Sequence, residues 1–212
     1  MHIPDGFLNV ATVATTYAIS AGGVGNAVRI ANKKLGEKQV PLMGVLAAFI
    51  FAAQMLNFPI AGGTSGHLIG AALAAILLGP WAGVLIMSCV LIAQCLIFQD
   101  GGLLALGANI LNMGIVASFS SYYIYRLVTP LMGNSRRGTL IGSFAGAWGS
   151  VFLAAIFCAV ELAVSGASPL GVVLPAMAGL HALIGIGEGL VTGAVLSLVL
   201  ATRADLLQLQ RI

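Results

Sequence analysis

The sequence predicts an all-α integral membrane protein of seven transmembrane helices, with its amino terminus outside and its carboxy terminus in the cytoplasm. Three observations carry that expectation. Apolar residues make up 59% of the chain and charged residues 7%, with a mean hydropathy of +1.06. Ordinary soluble domains carry roughly 25% charge, so this chain cannot clothe a soluble surface. The apolar residues fall in long unbroken runs, not in the alternation of a β-barrel. Finally, all nine Lys and Arg residues sort to one side of the bilayer once the runs are read as seven spans.

The spans fall at about 8–28, 40–58, 67–79, 81–98, 103–125, 138–164 and 173–202, within a single domain over 1–212. The first holds Asn9, Thr12, Thr15, Thr16, Tyr17, Ser20, Gly22, Gly23, Gly25 and Asn26. It is too polar to face lipid all round and is expected to lean on its neighbours through small residues. The third is short of the ~20 residues a helical crossing needs and ends at Gly79-Pro80. Merging 67–98 into one Pro-kinked helix would separate Arg29, Lys33, Lys34 and Lys38 from Arg126, Arg136, Arg137, Arg203 and Arg211. Seven spans keep them together. The outer connections, 59–66, 99–102 and 165–172, then carry no Lys or Arg. The fifth to seventh spans place Asn109, Asn112 and Glu188 toward the bundle interior, and Glu161 at an outer interface.

Cys89, Cys95 and Cys158 lie inside apolar stretches, which makes them packing residues and not a disulfide framework. A pI near 9.0 reflects topology and not affinity for nucleic acid. No basic segment with a small-residue cleavage site marks a signal peptide, so Met1 is expected to be the mature terminus.

The chemistry then concentrates at Met1-His2. A free Met1 amine, the Met1–His2 amide nitrogen and His2 Nδ1 close a five-membered and a six-membered chelate ring. Such fused nitrogen chelation favours a square-planar Ni(II) or Cu(II). His67 or His181 could supply the fourth nitrogen, because the topology puts all three histidines on the outer side. His67 follows Pro59-Ile-Ala-Gly-Gly-Thr-Ser-Gly66, and irregular backbone at membrane depth is tolerated only around a protein-lined cavity. His181 lies seven residues from Glu188, about two helical turns, which suggests a supporting pair. Asp5 or Asp100 could orient an imidazole, as carboxylates behind metal-bound histidines do. Ser65 near His67 finds no partners for hydrolase chemistry.

The stretches Met1-His-Ile-Pro-Asp-Gly-Phe-Leu8, Phe58-Pro-Ile-Ala-Gly-Gly-Thr-Ser-Gly-His67, Leu78-Gly-Pro-Trp81, Asp100-Gly-Gly102, Ala108-Asn-Ile-Leu-Asn112 and His181-Ala-Leu-Ile-Gly-Ile-Gly-Glu-Gly189 resemble the substrate-binding subunits of energy-coupling-factor nickel and cobalt transporters, the NikM/CbiM family. The resemblance covers nearly the whole chain. It implies six core helices plus one amino-terminal helix, with metal held by Met1, His2 and His67. Ser65, Asp100, Asp5 and His181 are then left as supporting residues. Pro4-Asp5 is similar to the nickel branch, since the cobalt branch more often reads Met-Glu there.

The implied activity is capture of Ni(II), with Co(II) possible, as transported substrate at the plasma membrane of a prokaryote. No organic cofactor and no enzymatic activity are expected. The chain has no Gly-x-x-x-x-Gly-Lys loop, so ATP would be hydrolysed by partners. The resemblance implies a membrane scaffold subunit, two ATPases and in some systems a small membrane subunit. Ala47, Ala48, Ala52 and Ala53 offer a smooth face for a partner helix. The competing readings are a cobalt-uptake subunit of the same family and a secondary carrier working alone. A carrier would need a relay of membrane carboxylates and inverted repeats.

Overall fold

The computed structural model describes residues 1–36, 39–60, 64–133 and 135–206, without the side chains of 58–60 and 64–65. The Ser65 side chain therefore lies outside the described residues. Helix α1, Val10–Lys34, begins at Asn9, whose side chain accepts the Thr12 N–H at 2.8 Å. That cap satisfies one of the donors a helix start leaves open. Thr16, Ser20 and Ala27 are its buried stripe. Ser20 donates to the Gly107 carbonyl at 2.6 Å and Tyr17 to that of Leu103, so these two side chains tie α1 to the bundle.

Helix α2, Gln39–Gln54, leads into strands β1, Phe58–Ile60, and β2, Thr64–Gly66, an antiparallel pair with Phe58 opposite Gly66. Helix α3, Ala71–Leu78, corrects the expected third segment in two ways. It starts after His67 and not at it, and its eight residues rise only about 12 Å, well short of a ~30 Å hydrocarbon core. Gly70 explains the late start. Its φ of +80° is a left-handed conformation that holds His67–Gly70 out of the helix. Every α3 residue is buried, which is how so short an apolar helix is kept from lipid.

Gly79, at φ +89°, ends α3, and Pro80 opens α4, Pro80–Phe98. Proline suits a first turn, where its missing N–H costs nothing. A short α5, Leu106–Asn109, a π-helical stretch, Ile110–Val116, and α6, Ala117–Leu131, follow without a break. Helices α7, Arg136–Val164, and α8, Leu170–Thr202, complete the bundle.

Helix α3 sits at the centre, against α2, α4, α6, α7 and α8. Small residues let the others close round it: a Cβ on Gly146 of α7 would stand 2.6 Å from the Ser121 carbonyl oxygen of α6. Outward-facing Val45, Phe49, Leu96, Ile97, Leu127, Leu183, Leu190 and Leu198 are exposed, an apolar girdle of the kind soluble monomers avoid. Helices α4, α7 and α8 are each long and apolar enough to cross a membrane.

Candidate metal centre

Residues 1–9 form no helix. The first three run into the bundle: Met1 and Ile3 have no exposed surface, and His2 is 4% exposed. Backbone taken out of water needs partners, and Asn109 supplies them. The Ile3 N–H donates to Asn109 Oδ1 at 2.8 Å, while Asn109 Nδ2 donates to the Ile3 carbonyl at 3.2 Å. The same carbonyl accepts the Gly102 N–H at 2.9 Å. Gly101 has φ +93°, and a Cβ on Gly102 would collide with Asp5. The glycine pair is what lets the terminal strand lie this close.

Asp5 anchors the segment from outside. Its carboxylate accepts the N–H groups of Leu103 at 3.1 Å, Leu104 at 2.7 Å and Ala105 at 3.4 Å. This is a capping role ahead of α5, so of the two carboxylates expected to offer support to an imidazole, Asp5 is turned to backbone amides instead. Asp100 is the carboxylate beside the ring, with Oδ1 3.3 Å from His2 Nδ1. Its Oδ2 accepts from Asn57 at 3.2 Å.

His67 comes from the stretch ahead of α3. The rings of His2 and His67 stack with centroids 4.6 Å apart and planes 24° apart. His67 Nδ1 donates to the Leu68 carbonyl at 2.7 Å. Its Nε2 is buried without a hydrogen-bond partner, a bare lone pair beside the terminus. The next two peptides are held by Glu188 of α8, which accepts the N–H of Ile69 at 2.8 Å and of Gly70 at 2.6 Å.

His181 and Glu188 are thus not a pair. His181 Nδ1 donates to the Met177 carbonyl at 2.8 Å, while Glu188 serves the stretch that carries His67. Glu161, expected at an interface, is buried and accepts from Asn112 at 2.6 Å.

Burial sets the protonation of the terminus. Loss of water pushes the Met1 amine down from 8.0 to about 5 and His2 from 6.5 to about 3. The nearby amine adds to the effect on His2. Asp100 is raised by its own burial, against the pull of the amine and of Asn57. Amine and imidazole are therefore neutral lone-pair donors at pH 7. Among the described residues no three His, Cys, Asp or Glu side chains converge on a cage. A cation held here would draw on main-chain nitrogen as well as on the two rings.

The supporting residues were the harder ones to read. Asn109 and Glu188 are legible as polar residues in apolar segments and within the stretches that carry the resemblance, with Glu188 also marked by its spacing from His181, whereas Gln54 and Gln94 lie in none of those stretches. All four are buried. A polar side chain inside a membrane bundle is costly and marks a site, a signal that both glutamines carried.

Residues 2–206 match the family described as the cobalt uptake substrate-specific transmembrane region, CbiM. The chain is 45% identical over 210 residues to a putative fused nickel transport protein NikMN of Archaeoglobus fulgidus, covering 98% of this chain and 68% of that one. It is 37% identical to the fused nickel transport protein NikMN of Rhodobacter capsulatus, covering all of this chain and 65% of the relative. The chain thus spans about two thirds of each fused relative. A crystal structure of a truncated transition metal transporter superposes with a TM-score of 0.86 at 39% identity, over 95% of this chain and 99% of that one. With the match running from His2 past the end of α8, the chain belongs to the CbiM family.

Proposed function

We propose that this chain captures Ni(II) on the outer face of the plasma membrane, as the substrate-specific subunit of an ATP-driven importer of the energy-coupling-factor type. The observation that carries the reading is the buried terminus beside His67, with ring centroids 4.6 Å apart. Four nitrogens are to hand: the Met1 amine, the His2 amide nitrogen, His2 Nδ1 and His67 Nε2. They suit a square plane, and nitrogen donors in that plane favour Ni(II). Loss of the amide proton leaves one net positive charge on the complex, which the Asp100 carboxylate beside Nδ1 offsets. Cobalt is the competing substrate; the family is described for cobalt uptake, while both fused relatives are named for nickel.

The wider assembly is inferred from the same family. Seven membrane segments with the terminus outside keep all cations on the cytoplasmic side. A scaffold subunit and two ATPases supply the energy, with a small membrane subunit in some systems. Ala48 and Ala52 are exposed on α2 beside half-buried Ala47 and Ala53, a face that a partner helix can approach.

The test is spectroscopy of the nickel-loaded full chain with an unmodified terminus. Four in-plane nitrogens force a diamagnetic, yellow to orange, low-spin complex without axial water. A six-coordinate paramagnetic nickel with oxygen ligands overturns the reading. Transport measured with and without ATPase partners then separates a driven importer from a lone carrier.

A further inference from the structure

Two buried glutamines join the halves of the centre, and their polarity can be traced from one end. The Ile69 carbonyl can only accept a hydrogen bond. Gln54 Nε2 lies 2.6 Å from it, so Gln54 donates there and turns Oε1 the other way. Gln94 Nε2 lies 2.9 Å from that Oε1 and must donate to it. Gln94 Oε1 is thereby turned toward His2 Nε2, at 3.0 Å. An amide oxygen only accepts, so Nε2 carries the ring proton.

A neutral imidazole carries a single N–H. With that proton on Nε2, Nδ1 holds the lone pair. Nδ1 is also the nitrogen whose position closes a six-membered ring with the His2 amide nitrogen; Nε2 is too far round the ring to do so. The polarity of the relay and the demands of the chelate agree, although they come from different residues.

Asp100 competes for the proton from the other side. Its oxygen stands 3.3 Å from Nδ1, beyond the ~2.7–2.9 Å of a charge-assisted N–H bond. Giving Asp100 the proton would turn Gln94 and Gln54 over, leaving the Gln54 oxygen facing the Ile69 carbonyl. Both glutamine side chains have no exposed surface, so that clash would go unrelieved by bulk water.

We propose that Gln54 and Gln94 are positioning residues that set the tautomer of His2, so that Nδ1 and not Nε2 is presented to the metal. The proposal rests on the metal-centre reading above. It adds a link between the two sides of the centre, because Ile69 follows His67 by two residues and its own N–H is held by Glu188. The stretch that delivers His67 also dictates how His2 is protonated.

The experiment is nitrogen NMR of the metal-free full chain, labelled with ¹⁵N-histidine, at neutral pH. The His2 signals are identified by their loss in His2→Ala. The wild-type chain should show a protonated Nε2 and a bare Nδ1. Gln54→Met removes the anchor without touching His2, frees Gln94 to turn over and should raise the Nδ1–H form. Nickel affinity should then fall in proportion to the remaining Nε2–H fraction, about tenfold if one tenth remains.

Should Gln54→Met fail to fold, the wild-type tautomer decides alone. A proton on Nδ1 in the wild-type chain overturns the relay, as does a folded Gln54→Met with an unchanged tautomer. The two readings fail separately. Nickel bound to a chain with Nδ1–H removes the relay and spares the centre. An Nε2–H chain that binds no nickel removes the centre, and the tautomer assignment is supported.

Discussion

Glu188 holds Gly70 across the bundle: its Oε1 accepts the Gly70 N–H at 2.6 Å, and its Oε2 accepts the Ile69 N–H at 2.8 Å. One carboxylate of α8 thus bridges two consecutive amides of the irregular stretch behind His67. Replacing it by alanine strands two buried donors, each costing about 1–3 kcal/mol. Glu188→Ala should therefore destabilise the protein by about 2–6 kcal/mol, read as a lowered unfolding midpoint in detergent. Glu188→Gln keeps one acceptor and should lose about half as much.

The buried terminus makes a second prediction. Met1 has no exposed surface, so an acetyl group on its nitrogen has no room and also converts the amine into an amide. Acetylating Met1 should reduce nickel affinity at least ~100-fold, the cost of an amine donor and its chelate ring, about 2.7 kcal/mol or more. Equilibrium dialysis of the acetylated and native chains measures it. A tag at the carboxy terminus should leave affinity unchanged.

Proton release should show that the terminus is already dry. With the amine at about 5 and His2 at about 3, both are deprotonated at pH 7 before metal arrives. Binding then releases close to one proton, from the amide. An amine at its ordinary 8.0 would be about nine tenths protonated at pH 7 and would bring the count to about two. The sign follows: affinity rises with pH, about tenfold per unit between pH 6 and 8, and falls more steeply below about 5 as protons take the amine. Calorimetry in buffers of different ionisation enthalpy counts the protons, and a value near two at pH 7 contradicts a buried neutral amine.

His67 and His181 both present an Nε2 without a hydrogen-bond partner among the described residues, yet only His67 stacks on His2. His67→Ala should lower nickel affinity about 100-fold, as loss of an inner ligand, against less than about threefold for His181→Ala. A costlier His181 would reassign the fourth nitrogen.

Metal should also open the stack. Lone pairs lie in the ring planes, and planes inclined by 24° do not converge on a nearby atom. One ring must turn for His2 and His67 to share a metal. A nickel-loaded crystal structure should show a larger interplanar angle; an unchanged stack would mean that only one ring binds.

Membership of the helical membrane class was legible in composition and charge because lipid penalises polar surface everywhere along a span, so the whole chain repeats the signal. The break at Gly79-Pro80 was legible too, since both residues act through their own backbone torsions. The proposed chelate of Met1 and His2 is read from sequence in the same way, because its geometry would be local and covalent. The length of α3 was hidden. Residues 67–70 look like the start of a helix, but the Glu188 carboxylate, 118 residues from Gly70, takes the amides of Ile69 and Gly70. The separate surroundings of Asp5 and Asp100 were hidden as well, because two carboxylates at one end of the bundle are distinguished only by which donors reach them. The polarity of Gln54 and Gln94 depends on a carbonyl at Ile69 that neither adjoins in the chain. Signals carried by each residue's own solvation and torsions survive in sequence; hydrogen-bond direction is set pairwise by distant groups, and only the folded chain brings those groups within 3 Å.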